Sequence, residues 1–231
     1  MSIAQRRIEL MRIIQERKYI SINDLAKHFD VSSMTIRRDL SLFEAQGAII
    51  LTHGSVSINT DFHIEPSFNE KIGKQKSIKE EIAAIAAKEV QDGDTIILDC
   101  GTTTLQMVKY LHDKKITIIT NSYPIVQYLS GNSKIKLIMA PGIYSEISHG
   151  FFGDLTIHFF NQFHVDKVFM ATHGYDQEIG ASVPDLQDAQ TKKALLKAAK
   201  KKYLLYTKDK NNKVYHHIFS IPKEFDKIIC K

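Results

Sequence analysis

Apolar positions in the first sixty residues follow a helical period three times and then give way to alternation. Ile3, Leu10, Ile13 and Ile14 predict a helix from Ile3 to Glu16 with those four residues facing inward. Ser21 precedes a shorter run, Ile22, Leu25, Ala26 and Phe29, and can cap its helix. A tight turn is expected at Phe29-Asp30-Val31. Ser32 or Ser33 then caps a third helix reaching Gln46, with Met34, Ile36, Leu40 and Phe43 as its buried stripe. Gly47 stands where a left-handed cap would end that helix. Two β-prone runs, Ala48–Thr52 and Ser55–Ile58, flank His53-Gly54 and predict a hairpin. This order of helices and hairpin predicts a winged helix-turn-helix.

Beyond it, Asn59–Ser67 holds Pro66 and no sustained period, which predicts an ordered connection. A helix is expected over Asn69–Lys88, with Ile78, Ile82, Ile85 and Ala86 on one face. Short apolar strands and helices then alternate. The strands are Thr95–Asp99, Ile116–Thr120, Ile135–Met139, Lys167–Thr172 and Tyr203–Thr207. The helices are Thr103–Leu111, Tyr123–Ser130, Leu155–Gln162 and Asp188–Lys201, the last ending in the lysines of Lys197–Lys202, where cations suit the dipole. Continuous apolar strands separated by helices predict parallel βαβ units covered on both faces. The fold class expected is α/β: a winged helix-turn-helix at 1–58, a linker at 59–75, and an α/β domain with a mainly parallel sheet at 76–231.

The 231 residues suffice for one domain of ordinary size and a small one. A net charge of +5 suits an anionic partner. Residues 1–57 carry eight basic against six acidic side chains, and all the arginines of this stretch lie before residue 39, which predicts a local basic face. The two cysteines, Cys100 and Cys230, have no motif partner, so no disulfide and a reducing compartment are expected. The first residues lack the apolar core of a signal peptide, and no run approaches a membrane span. A cytoplasmic protein with no membrane partner is expected.

On the third helix Ser33, Thr35, Arg37, Arg38 and Ser41 remain outside the apolar stripe. Such side chains bond phosphates and base edges, and arginine is the commonest reader of guanine. Ser32, Ser33, Thr35, Arg37 and Arg38, with His53 in the wing, are the candidate contacts to double-stranded DNA. Which arginine reads a base is open. In the second domain three strand ends carry polar or glycine-rich residues: Asp99–Thr104 (DCGTTT), Thr120–Ser122 (TNS) and Thr172–Asp176 (THGYD). Open parallel sheets bind ligands at such ends. Gly101 allows close approach, and free amides and hydroxyls of Thr102, Thr103 and Thr104 at a helix start make an anion site. No HExxH or paired Cys-x-x-Cys is present, so no metal and no cofactor are expected.

The stretch LAKHFDVSSMTIRRDLSLFEAQG resembles the DNA-binding head of the DeoR family of bacterial transcription regulators. Where that family carries an arginine and a His-Gly-Gly-Ala wing, this chain has Leu51 and His53-Gly54-Ser55-Val56. The second domain resembles that family's effector-binding domain, which shares its fold with ribose-5-phosphate isomerase. The matching elements are Lys79, LDCGTTT, ITNS, Gly142 in MAPG, HGYD and DAQTKKALLKAA. The resemblance implies a repressor of sugar-metabolism genes released by a small phosphorylated sugar. The site implied comprises Lys79, Asp99, Gly101, Thr102, Thr103, Thr104, Asn121, Gly142, Gly174, Asp176 and Lys210. Phosphate would lie on residues 101–104 with Lys210 or Lys79 adding charge, and sugar hydroxyls would lie on Asp99 and Asn121. Two positions depart from the pattern: Thr207 replaces an acid, and Pro141-Gly142 replaces Gly-Gly. A homo-oligomer, dimer or tetramer, is expected, since two heads together read a useful length of operator. Two alternatives stand beside this: an isomerase-like enzyme drafting Asp99, Asp176 and Lys210, and an orphan DNA-binding regulator without a sugar ligand.

Overall fold

The structure, a computed structural model, describes residues 3–45, 49–58 and 66–231. The chain forms two compact units, 1–64 and 65–231. In the first, α1 (Ile3–Arg17) leads into a short strand β1 (Tyr19–Ser21), then α2 (Ile22–Phe29) and α3 (Ser33–Ala45). Strands β2 (Ile49–Leu51) and β3 (Ser55–Ile58) form the wing hairpin, and β1 adds to it in the order β1-β3-β2, all antiparallel. Ser21 caps α2 by accepting from the Asp24 amide, and Asp30 in the left-handed region ends it. Leu10, Ile14, Leu25, Ile36, Leu40 and Val56 are fully buried in one core. Gly47, the expected cap of α3, lies outside the described residues.

Two expected core positions are exposed. Met34 is 71% exposed, because Ile36 and Leu40 set the inward face of α3 and a residue two positions away points elsewhere. Ile3 is 58% exposed, since among the described residues the apolar core of this unit begins only at Leu10, two turns further on.

The second unit opens with α4 (Phe68–Gly73) and α5 (Lys76–Ala87). The single helix expected over 69–88 is thus broken. Gly73 is a poor helix interior residue, Lys74 is extended, and Gln75 is left-handed at φ 52°. Ser67, expected in the linker, caps α4 in a reciprocal capping box with Glu70. The remaining elements are β4 (Thr95–Leu98), α6 (Thr102–Leu111), β5 (Ile116–Thr120), α7 (Tyr123–Leu129), β6 (Ile135–Met139), β7 (Ile143–Ser145), β8 (Gly150–Phe152), α8 (Asp154–Phe160), β9 (Val165–Ala171), β10 (Gly174–Asp176), β11 (Gly180–Val183), α9 (Leu186–Lys197), β12 (Ala199–Tyr206), β13 (His217–Ser220) and β14 (Lys227–Cys230).

Six of these strands form a parallel sheet in the order β14-β12-β9-β4-β5-β6. One face is covered by α5, α6 and α7 around Ile82, Met107 and Ile125, the other by α8 and α9 around Phe160, Leu195 and Leu196. A small antiparallel sheet, β10-β11-β13, joins the second face. Of the lysine run at 197–202, expected to end a helix, only Lys197 does so, and from residue 199 the run enters β12. Ala199 and Lys201 pair with Val165 and Lys167 of β9, and this ladder overrides local helix preference. Among the described residues no helix is long and apolar enough to cross a membrane.

Candidate functional site

Helix α3 presents its polar face to solvent. Arg37 and Arg38 are exposed, and among the described residues neither has an acidic partner. The next residue points the other way. Asp39 is 3% exposed and accepts from Arg6 Nε at 2.7 Å and Arg7 Nε at 3.0 Å, which pins α1 to α3. Ser32 caps the helix, accepting from the Thr35 amide at 3.2 Å and sharing a hydrogen bond with the Thr35 hydroxyl at 2.9 Å. Ser33 donates to Asn23 Oδ1 at 3.0 Å and ties α3 to α2. Of the two capping candidates, Ser32 therefore takes the role. His53 is exposed at the hairpin tip, where Thr52 and Ser55 close the turn through a 2.6 Å hydroxyl contact. Leu51 is half-buried in β2.

In the second unit the ends of β4, β5, β9 and β12 gather polar side chains that are almost wholly out of solvent. Asp99 follows β4 and is 1% exposed; its Oδ2 accepts from the Ala171 amide at 2.9 Å and from Lys192 Nζ at 2.5 Å. Lys192, buried in α9, also donates to the Ala171 carbonyl at 3.1 Å and lies 3.6 Å from Asp188 Oδ1. Burial works against its charge, but Asp188 and Asp99 outweigh that and hold its pKa above the ordinary lysine range. Gly101 is required by close approach: a Cβ there would stand 2.4 Å from the Ala171 Cβ. Thr104 turns its hydroxyl back to the Asp99 carbonyl at 2.8 Å, while Thr102 and Thr103 open α6.

Asn121, after β5, donates from Nδ2 to the Phe151 carbonyl at 3.1 Å, so β8 closes over this strand end. Gly142 fits only as glycine, since a Cβ would meet Thr156 Oγ1 at 2.1 Å. Four buried atoms here have no hydrogen-bond partner among the described residues: Asp99 Oδ1, Thr103 Oγ1, Asn121 Oδ1 and Ser122 Oγ. Such atoms are rare in folded proteins and cost stability unless a ligand or water meets them.

Three more lysines border this cluster. Lys210 donates to the Thr172 carbonyl at 2.6 Å, Lys79 donates to the Lys71 carbonyl, and Lys71 Nζ lies 3.2 Å from His173 Nε2. Burial pushes Lys210 down to about 8 against the opposing Asp209, with Lys79, Lys71 and Lys192 adding repulsion. Burial likewise lowers Lys79, again opposed by Asp209 and reinforced by Lys71 and Lys74. Lys79 lies inside α5.

Gly174 and Asp176 serve the small sheet. A Cβ at 174 would meet the Lys213 carbonyl at 2.3 Å, and Asp176 Oδ1 accepts from the Glu178 and Ile179 amides to close the β10–β11 turn. Thr207, in the place of the expected acid, donates to Asp209 Oδ1 at 2.5 Å, and the Pro141 carbonyl accepts from Thr156. Lys192, Asp188, Lys71 and Ser122 were not among the expected site residues. Asp188 and Lys192 stand one turn apart on a helix face shared with Leu195 and Leu196, and two charges on an apolar face are a readable sign of a buried pair. A groove of about 540 Å³ lies between α9 and β13, lined by Lys193, Lys197 and Phe219 among others. Among the described residues no group of three or more His, Cys, Asp or Glu is placed to hold a metal ion.

A winged helix-turn-helix followed by a parallel α/β unit with polar strand ends defines a DNA-binding regulator with an effector-sensing domain. Residues 6–62 match the DeoR-like helix-turn-helix domain, and residues 74–231 match the DeoR C-terminal sensor domain. The chain belongs to the DeoR family of transcriptional regulators. An HTH-type transcriptional regulator of Haemophilus influenzae is 31% identical over 98% of this chain and 89% of its own length. The lactose phosphotransferase system repressor of Streptococcus mutans is 32% identical over 89% of this chain and 82% of its own. Ribose 5-phosphate isomerase A of Methanocaldococcus jannaschii superposes with a TM-score of 0.44 at 16% identity, over 60% of this chain and 55% of that one.

Proposed function

We propose that this regulator is a repressor of genes of sugar metabolism and that a small phosphorylated sugar in the strand-end cluster releases it from its operator. One observation carries the reading: a buried, cation-rich cluster contains four polar atoms that no group among the described residues meets. Amides at residues 102–104 and the hydroxyls of Thr102 and Thr103, backed by Lys79 and Lys210, suit a phosphate. Asp99 Oδ1 and Asn121 Oδ1 are acceptors and suit sugar hydroxyls. The name of the Streptococcus mutans relative supports a sugar-linked role. Operator contact in this reading runs through Arg37 and Arg38, with Ser32, Ser33, Thr35 and His53 beside them.

Release requires that the effector bind the DNA-free arrangement more tightly than the DNA-bound one. The test is a gel shift on the chain's own operator with a panel of pentose, hexose and ketose phosphates. At least one should release DNA from the wild type. Thr102→Asp places a carboxylate at the helix start and should abolish that release while leaving operator affinity unchanged. Release of Thr102→Asp at the wild-type effector concentration would show the site to be misplaced.

A further inference from the structure

The groove between α9 and β13 brings together an open strand edge and unpaired positive charge. Strand β13 ends the small sheet β10-β11-β13, and among the described residues it pairs with β11 alone. Residues Ile218 to Ile221 line the groove in succession. Ile218 and Ile221 are 43% and 40% exposed. A free strand edge offers its main-chain donors and acceptors to another chain. The charge comes from Lys193 and Lys197, exposed and one turn apart on α9, and from half-buried Lys202 of β12. Among the described residues none of the three forms an ion pair. Like charges four residues apart on a helix repel each other. The acid that lines the groove, Glu224, is engaged elsewhere: its Oε2 accepts from the Ser220 hydroxyl at 2.7 Å and from the Ile221 amide at 3.0 Å. Asp226 is likewise taken by the Lys202 amide at 2.8 Å.

Charge and shape choose among the occupants. A second copy docked about a two-fold axis would set these lysines against their own symmetry mates. A nucleic acid would meet the lysines but leave Ile218, Ile221 and the strand edge without partners. An extended polypeptide with acids at alternate positions answers all three features. Its main chain can pair with the free edge, as in strand addition. Its apolar positions can cover Ile218 and Ile221. Its acids match the lysines in spacing: four residues of helix rise about 6 Å, and alternate side chains of a strand stand about 6.6–6.8 Å apart. The groove also reaches the strand-end cluster, because the Phe219 ring centroid lies 5.5 Å from Nζ of Lys192, the lysine that holds Asp99.

We propose that this groove docks an extended acidic segment of another protein, which adds as a strand to the free edge of β13 and sets its carboxylates on Lys193 and Lys197. The experiment uses the full chain and a fluorescein-labelled hexapeptide, capped at both ends, in which glutamate and valine alternate. Fluorescence anisotropy measures binding, and amide hydrogen exchange locates it. The peptide should bind the wild type and slow exchange across residues 217–221. Exchanging its glutamates for glutamine should weaken binding about tenfold. Lys193→Glu with Lys197→Glu should do the same, whereas Lys193→Arg with Lys197→Arg should keep the wild-type affinity. Operator affinity and the mass reported by light scattering should stay unchanged in both variants. Absence of binding at millimolar peptide would overturn the assignment. So would binding that the charge reversal leaves intact, or that leaves exchange at 217–221 unaltered. A smaller oligomer in the charge-reversed variant would give the face to a second copy. Slowed exchange at 217–221 with a single-stranded oligothymidylate, and not with the peptide, would give it to nucleic acid.

Discussion

Lys210 shows how one residue couples the cluster to the stability of the fold. Its pKa falls to about 8 on folding, from 10.5. The unfolded chain therefore holds the proton more tightly across that interval, and stability rises with pH through it; below about pH 8 the cost is present in full. The groups acting on it are Asp209, which favours its charge, and Lys79, Lys71 and Lys192, which oppose it. Lys210→Met removes this titration. Thermal melts at pH 7 and 9.5 should show the ligand-free wild type gaining stability relative to the variant as pH rises; parallel curves would remove the argument. The sequence pointed to Lys210 through the family pattern, and to Asp99, Thr102–Thr104 and Asn121 through strand ends. For Lys192 the sequence offered Asp188, one turn away on the same apolar helix face, but not its second carboxylate, Asp99, which lies 93 residues away and is brought to it only by the fold.

At the scale of the element, α3 separates two charges of opposite purpose. Arg37 and Arg38 stand in solvent, whereas Asp39 is turned inward and neutralised by Arg6 and Arg7. The acid adjacent in sequence is thus kept off the face offered to a polyanion. Arg37→Ala with Arg38→Ala should abolish operator binding in a gel shift. Singly, a base-reading arginine should cost about 1–3 kcal/mol and relax specificity at one position, whereas a phosphate contact should weaken all sequences alike. Intact affinity in the double variant would sink the docking assignment. Periodicity made helices and central strands legible because each buries its own stripe. It missed β7, β8, β10, β11, β13 and β14, which are only three or four residues long and owe their form to neighbours distant in sequence. The same cause moved the lysine run from helix to strand, and a single glycine with left-handed Gln75 divided the helix expected at 69–88.

For the molecule as a whole, a single winged head contacts few base pairs. Useful specificity against a genome calls for two heads on repeated half-sites. Light scattering at micromolar concentration should report at least a dimer; a monomer with and without DNA would overturn this expectation. Both units are closed bodies with separate cores, and their connectivity differs in kind. The head is built of neighbours: its described core runs from Leu10 to Val56. At the centre of the larger sheet, β4 pairs with β9, joining Ile97 to Val168. That pairing has a consequence in time. On the ribosome the head's core is complete once residues through 58 have emerged, but the central strands of the sheet cannot meet until β9 exists, about 110 residues later. At ordinary translation speed this is an interval on the order of 5–20 seconds. Each newly made chain therefore carries its DNA-reading surface before its sensor domain can be complete, and if operator binding needs paired heads, as proposed, that early surface would hold the operator only weakly.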